Sequence, residues 1–251
     1  MADLPILFIA PMVRAIWREI ESPGTGKTMT RRVITPENFR LLGHDFRFHR
    51  PDRESLEAAF KGARDFRWIE GAFSWLADPD ERMHPHAVAV DCRGQPKFAP
   101  SDRLWVRETW AVGNIYDGMP PSDINPDGKP GWCGIRYAAT DARNGIKDRS
   151  SRFMPRWASR ITLIVKDARV ERLQDISEAN AISEGVIQRE DGLFAVIDER
   201  RGLTGATPDA VSAFAMLWDA INGPGAWEAN PWVTVTSFKP HLQNIDLLEA
   251  A

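Results

Sequence analysis

The chain is poor in cysteine: Cys92 and Cys133 are the only two in 251 residues. Two thiols cannot build a disulfide framework, and their spacing is not that of a zinc site, so a reducing, cytoplasmic compartment is expected. It is also short of charge of one sign. Net charge is −3 with a pI of about 6.0, whereas proteins that grip long nucleic acids through many phosphates are usually basic. The balance points to a small substrate rather than a polyanion. The N-terminal apolar run, residues 4–10, is too short to span a bilayer and has no basic leader before it, so no membrane association is expected. Repeats, heptads and low-complexity tracts are missing. So is the G-x-S-x-G elbow of many serine hydrolases. His84-Pro85-His86 has no thiol or carboxylate cluster at a metal-ligand spacing, and neither a metal nor a cofactor is expected.

What is present suits a globular chain: 43% hydrophobic, 27% charged, with ten tryptophans. Residues 6–9 read as a short buried strand. Pro11 then opens a helix whose apolar face is Val13, Ile16, Trp17 and Ile20, ended by Ser22-Pro23-Gly24. Residues 27–35 are rich in β-branched side chains. From 37 to 100 no clean period survives, and 53–62 is the best local helix there. Residues 103–108 read as a strand, 113–131 as a loop, 132–139 as a further strand, and 161–170 alternate with Ile161, Leu163 and Val165 on one face. A short helix follows with Ser177 as N-cap and Gly185 just past its end. A longer one follows Thr207-Pro208, carrying Val211, Phe214, Trp218 and Ile221 on one face, and 232–238 is the last strand. Strands with a few helices and no regular βαβ alternation indicate a mixed, barrel-like α+β domain.

Gly24-Thr25-Gly26-Lys27-Thr28 looks like the end of a phosphate-binding P-loop. That pattern needs a glycine five positions before Gly26, where this chain has Glu21, and it needs a strand before the loop rather than a helix. A nucleotide triphosphatase is therefore set aside. The string that remains is Lys27-Thr28-Met29-Thr30-Arg31-Arg32. By itself it reads equally as a solvated basic turn.

Placed after an N-terminal strand and helix, that string resembles the K-T-x-T-x-R signature of the ASCH family. Ala99-Pro100-Ser101-Asp102-Arg103-Leu104-Trp105-Val106-Arg107-Glu108 is similar to the family's P-G-D-x-L-x-V-R-E strand, with Ser101 where glycine is usual. Residues 173–185 resemble the family's short acidic helix and 214–238 its closing helix and strand, while 154–163 are similar to longer phage-associated members. About half the chain is covered. The resemblance implies a single PUA-like mixed β-barrel over 1–251, with flanking helices and insertions at about 37–98, 113–152 and 188–206.

Within that family the resemblance points to the N4-acetylcytidine amidohydrolases, whose catalytic groups are a lysine, a threonine three positions later and a glutamate in the acidic helix. Carried over, these fall on Lys27, Thr30 and Glu184. The expected reaction is removal of the N4-acyl group from a small modified nucleoside, with Thr30 attacking while Lys27 and Glu184 move protons. Candidate substrate-binding residues are Phe8, Arg31, Arg32, Trp105 and Trp110. The alternative is a non-catalytic PUA-like module that binds RNA, or a ribonuclease-like protein, using the same cleft.

The chemistry sets conditions. At a reference pKa of ~10.4, roughly one lysine in 2,500 is neutral at pH 7, and lowering that value by three units takes ~4 kcal/mol of destabilisation of the cation. Burial supplies that much, and Arg31 and Arg32 facing the same pocket would add to it. Geometry adds another condition. Residues three apart on a regular strand point to opposite faces, so Lys27 and Thr30 share a site only if the chain turns between them, which Gly24 and Gly26 favour.

Overall fold

The computed structural model describes residues 1–34, 39–41, 63–69, 72–77, 90–125, 127–130, 134–142, 145–198 and 203–248. Its strands are β1 (Asp3–Leu7), β2 (Met29–Val33), β3 (Phe39–Leu41), β4 (Ala63–Ile69), β5 (Ala72–Ala77), β6 (Val90–Pro96), β7 (Arg103–Arg107), β8 (Trp110–Ala111), β9 (Arg136–Tyr137), β10 (Thr162–Arg172), β11 (Ile187–Gln188), β12 (Phe194–Asp198), β13 (Leu203–Thr207) and β14 (Trp232–His241). Its α-helices are α1 (Ala10–Glu21), α2 (Pro121–Ile124), α3 (Glu178–Ser183) and α4 (Ala210–Asn222).

The central sheet has the order β1-β7-β10-β14-β2; β1 runs parallel to β7 and every other neighbour is antiparallel. Strand alternation divides its side chains between two apolar layers. Ile6, Leu104, Val106, Leu163 and Phe238 pack under α1 through Val13 and Ile16. Met29, Val233 and Val235 face the other way, against Phe214 and Trp218 of α4 and Val196 of β12. Three smaller sheets accompany this one: β3-β6-β5-β4, β11-β12-β13 and the pair β8-β9. The fold is thus mixed α+β, and among the described residues none of its sheets closes into a barrel.

Several expected elements stand where the sequence put them. The apolar face of α1 is buried, with the helix ending at Glu21 just before Ser22-Pro23-Gly24. Ser177 caps α3 by accepting from the Asn180 amide at 3.3 Å, and Gly185 follows with φ +104°. α4 is capped by Asp209, whose carboxylate accepts from the Ser212 amide at 2.7 Å. The segment 37–98 holds the four-stranded sheet, which no period announced. The expected helix at 53–62 lies outside the described residues, as do His84 and His86. The strand expected over 132–139 is only the two-residue β9 among the residues described there. No helix among the described residues is long and apolar enough to cross a membrane.

Candidate active site

The site begins at the turn between α1 and β2. Gly26 lies flat against α1: a Cβ there would sit 2.3 Å from the Ala15 carbonyl oxygen, so only glycine lets the chain pass. Glu19 turns its carboxylate onto the Gly24 and Gly26 amides, the latter at 2.9 Å. The loop that imitates a phosphate-binding P-loop therefore holds a carboxylate of its own. Lys27 follows, its amide donating to Ala15 O at 2.9 Å, and Thr28 donates to Ser183 O at the end of α3. Regular pairing of β2 with β14 starts only at Met29. The chain is thus not a continuous strand from Lys27 to Thr30, as a shared site requires.

Lys27 is driven into the interior, with 1% of its surface exposed. Its Nζ donates to Glu184 Oε2 at 2.5 Å and to Glu184 O at 2.9 Å. The two residues are 157 positions apart. Glu184 follows the last turn of α3, and Gly185 after it lies against Ala15 and Lys27. The other carboxylate oxygen of Glu184 accepts from Arg31 at 3.1 Å. Arg31 also binds Glu171 Oε1 at 2.5 Å, and Arg169 holds the second oxygen of Glu171 at 2.8 Å. Asp167, more than half exposed, closes the chain of charges at 3.3 Å from Arg169. Opposite charges thus alternate over six side chains, from the buried lysine to the surface.

Burial depresses the pKa of Lys27, and Arg32 and Arg31 push the same way, while Glu184 opposes them. Arg32 is lowered as well, again chiefly by burial. Its guanidinium donates to Leu7 O at 2.7 Å and lies 5.6 Å from the Phe8 ring centre.

A cleft of about 270 Å³ opens over β2, an edge strand of the central sheet. Thr30, Arg31, Arg32 and Glu184 line one side, and Phe214, Leu217, Trp218 and Ile221 of α4 line the other. Thr30 is 4% exposed, and among the described residues its hydroxyl makes no hydrogen bond. Beside the cleft a smaller annex of about 30 Å³ shares Ile9, Met12, Glu184 and Leu217 with it and reaches Ala15, Gly185 and Val196.

The expected residues divide cleanly. Thr30, Glu184, Arg31 and Arg32 line the cleft, and Lys27 reaches it through Glu184. Phe8 lies behind, buried against Phe238 with ring centres 6.4 Å apart. Trp105 and Trp110 are not at the cleft. Trp105 lies under the Arg107 guanidinium, 4.5 Å from its ring centre, and Trp110 packs edge-on to Trp157 in a separate apolar cluster. The aromatic residues at the cleft are Phe214 and Trp218, and Glu171 is the further charged group tied to it. The i, i+4 spacing of Phe214 and Trp218 on α4 was a visible signal, but it read as core. Among the described residues no group of three or more His, Cys, Asp or Glu side chains is placed to hold a metal.

What fold and site define together is a mixed α+β chain with a buried lysine–carboxylate pair bordering a cleft of about 270 Å³. No protein-family model, curated protein or solved structure matches the chain.

Proposed function

We propose that the chain is an ASCH-type, PUA-like amidohydrolase that removes the N4-acyl group from N4-acetylcytidine-type nucleosides or bases in the cytoplasm. One observation carries this reading. Of the three residues that the resemblance singles out, Thr30 and Glu184 line one cleft, and Lys27, 157 positions from Glu184, joins it through their buried ion pair.

In this reading Thr30 Oγ1 attacks the acyl carbon and its proton passes to the Lys27–Glu184 pair, neutral overall and sharing one proton fewer than two full acids would. Arg31 and Arg32 supply the positive charge that the tetrahedral oxyanion needs. The C–N bond then breaks, the departing N4 amine takes the proton back from the pair, and cytidine leaves an ester on Thr30. Water, deprotonated by the same pair, attacks that ester; its C–O bond to Thr30 breaks, the pair returns the proton to Thr30 Oγ1, and the carboxylic acid leaves.

The cleft volume of about 270 Å³ falls just below the range of small-molecule pockets, about 300–1,000 Å³. That size suits a base or nucleoside better than a polynucleotide. The test is incubation of the purified protein with N4-acetylcytidine, following cytidine by chromatography, beside Thr30→Ala. Release by the wild type and not by the variant supports the proposal. No release by either, together with RNA binding that weakens steeply with salt, would favour the nucleic-acid-binding module instead.

A further inference from the structure

The cleft and its annex meet at Glu184, and they differ in kind. The cleft holds about 270 Å³ and carries Thr30 and both arginines. The annex holds about 30 Å³, and apart from Glu184 its lining is apolar. One water needs only about 10–15 Å³ of such space, so the annex has room for a small group of a few heavy atoms. A pyrimidine ring fits only the first, and a short alkyl end fits the second. The scissile bond must lie beside Thr30 and within reach of Glu184, and Glu184 borders both spaces.

We infer that the annex is the acyl subsite: it takes the alkyl end of the substrate's acyl group and limits that group to a short, unbranched chain. This rests on the hydrolase reading above and adds to it the size of the group removed.

Three features fix the size of the subsite. On one side Gly185 sits close against α1: a Cβ at Gly185 would lie 3.0 Å from Ala15 Cβ and 3.5 Å from Lys27 Cβ. Its far wall is Val196, 4% exposed, on β12 of the small sheet β11-β12-β13. Its near wall is Leu217 of α4, which also lines the cleft. Val196 lies within 188–206, outside the resemblance, so an added segment closes the subsite. An alkyl carbon placed there leaves water for a dry lining, and one methylene more or less in such a pocket changes discrimination about 10-fold to 200-fold.

The experiment compares kcat/KM for N4-acetyl-, N4-propionyl-, N4-butyryl- and N4-benzoylcytidine in the wild type, Val196→Ala and Val196→Leu. The wild type is expected to prefer acetyl or propionyl and to lose at least about tenfold on butyryl and benzoyl. Val196→Ala should raise the butyryl-to-acetyl ratio about tenfold, and Val196→Leu should lower the propionyl-to-acetyl ratio. Unchanged ratios in both folded variants, or a wild type that takes benzoyl as readily as acetyl, would overturn the subsite while leaving the hydrolase intact. A folded wild type that releases cytidine from none of the four would overturn the hydrolase reading, and the subsite with it.

Discussion

Two buried carboxylates lie in different parts of this molecule, each with an arginine beside it, and they serve opposite ends. Glu108, just after β7, is gripped at both oxygens by Arg160, Nε and Nη2 each at 2.9 Å. That guanidinium is itself sandwiched, 3.9 Å from the Tyr137 ring centre and 4.7 Å from that of Trp17, and its remaining amino group donates to Thr140. Among the described residues Arg160 is the one cation paired with Glu108. Glu184 divides its oxygens between Lys27 and Arg31, Arg31 divides itself again with Glu171, and the whole borders a cleft carrying a free hydroxyl. Burial of charge is common to both. What separates the two is that the second carboxylate is contested between two cations and borders a cleft, which is why the proposed reading places the chemistry there.

The comparison breaks most sharply with Thr30→Ala. Turnover of N4-acetylcytidine should fall by at least about 10³-fold, ~4 kcal/mol of transition-state stabilisation, while the unfolding midpoint stays near that of the wild type. Glu108→Ala should do the reverse. It strands the partly buried Arg160 guanidinium and costs up to about 3 kcal/mol in denaturant unfolding, and a loss under about 1 kcal/mol would contradict the clasp.

The two clusters also carry opposite pH signatures. Burial raises Glu108 above its usual 4.5 in spite of Arg160, so the folded state holds that proton longer than the unfolded chain; this contribution falls as pH climbs from 4.5 through the raised value. Lys27 is depressed below its usual 10.5, so the unfolded chain holds its proton longer, and this contribution grows as pH rises from the depressed value to 10.5. Urea unfolding across pH should show the first slope vanish in Glu108→Gln, leaving the second in place.

A smaller effect is expected from Glu171→Gln. Without Glu171, Arg31 moves its charge onto Glu184, and Lys27 loses part of its support as a cation. The acid limb of kcat/KM should move to lower pH by about half a unit, ~0.7 kcal/mol, and a shift to higher pH would contradict the chain of charges. Ser101→Gly, remote from both clusters, is the control. Ser101 has φ +72°, which glycine adopts without strain, so stability should rise by about 0.5–1 kcal/mol with no change in turnover.

Much of the frame was legible in the sequence where neighbours in sequence are also neighbours in space. Val13 and Ile16 on α1, Ser177 and Gly185 bounding α3, and the alternation of Leu163 and Val165 on β10 each announce their element within a few residues. Ser101 keeps a glycine-like turn in the absence of glycine. The strands β3 to β6 were not legible, because charged and aromatic residues alternate there without period. The pairing of Lys27 with Glu184 leaves no local trace, and only the resemblance suggested it. Phe214 and Trp218 were read correctly as one face of a helix, but which part of that face borders an opening depends on how α4 meets β2. Trp105 and Trp110 were proposed from their place along the chain. Alternation sends Trp105 to the side of the sheet opposite Leu104 and Val106, and Trp110 has its own cluster around Trp157.

The central claim is that Lys27 can give up its proton in the folded protein, and the direct measurement is its own titration. Lysine labelled with carbon-13 at Cε reports the charge of Nζ by NMR, with the Lys27 signal assigned by its loss in Lys27→Met. The account predicts that this resonance titrates well below the ordinary ~10.4, apart from the solvent-exposed lysines. A Lys27 that titrates at or above that value would contradict the account.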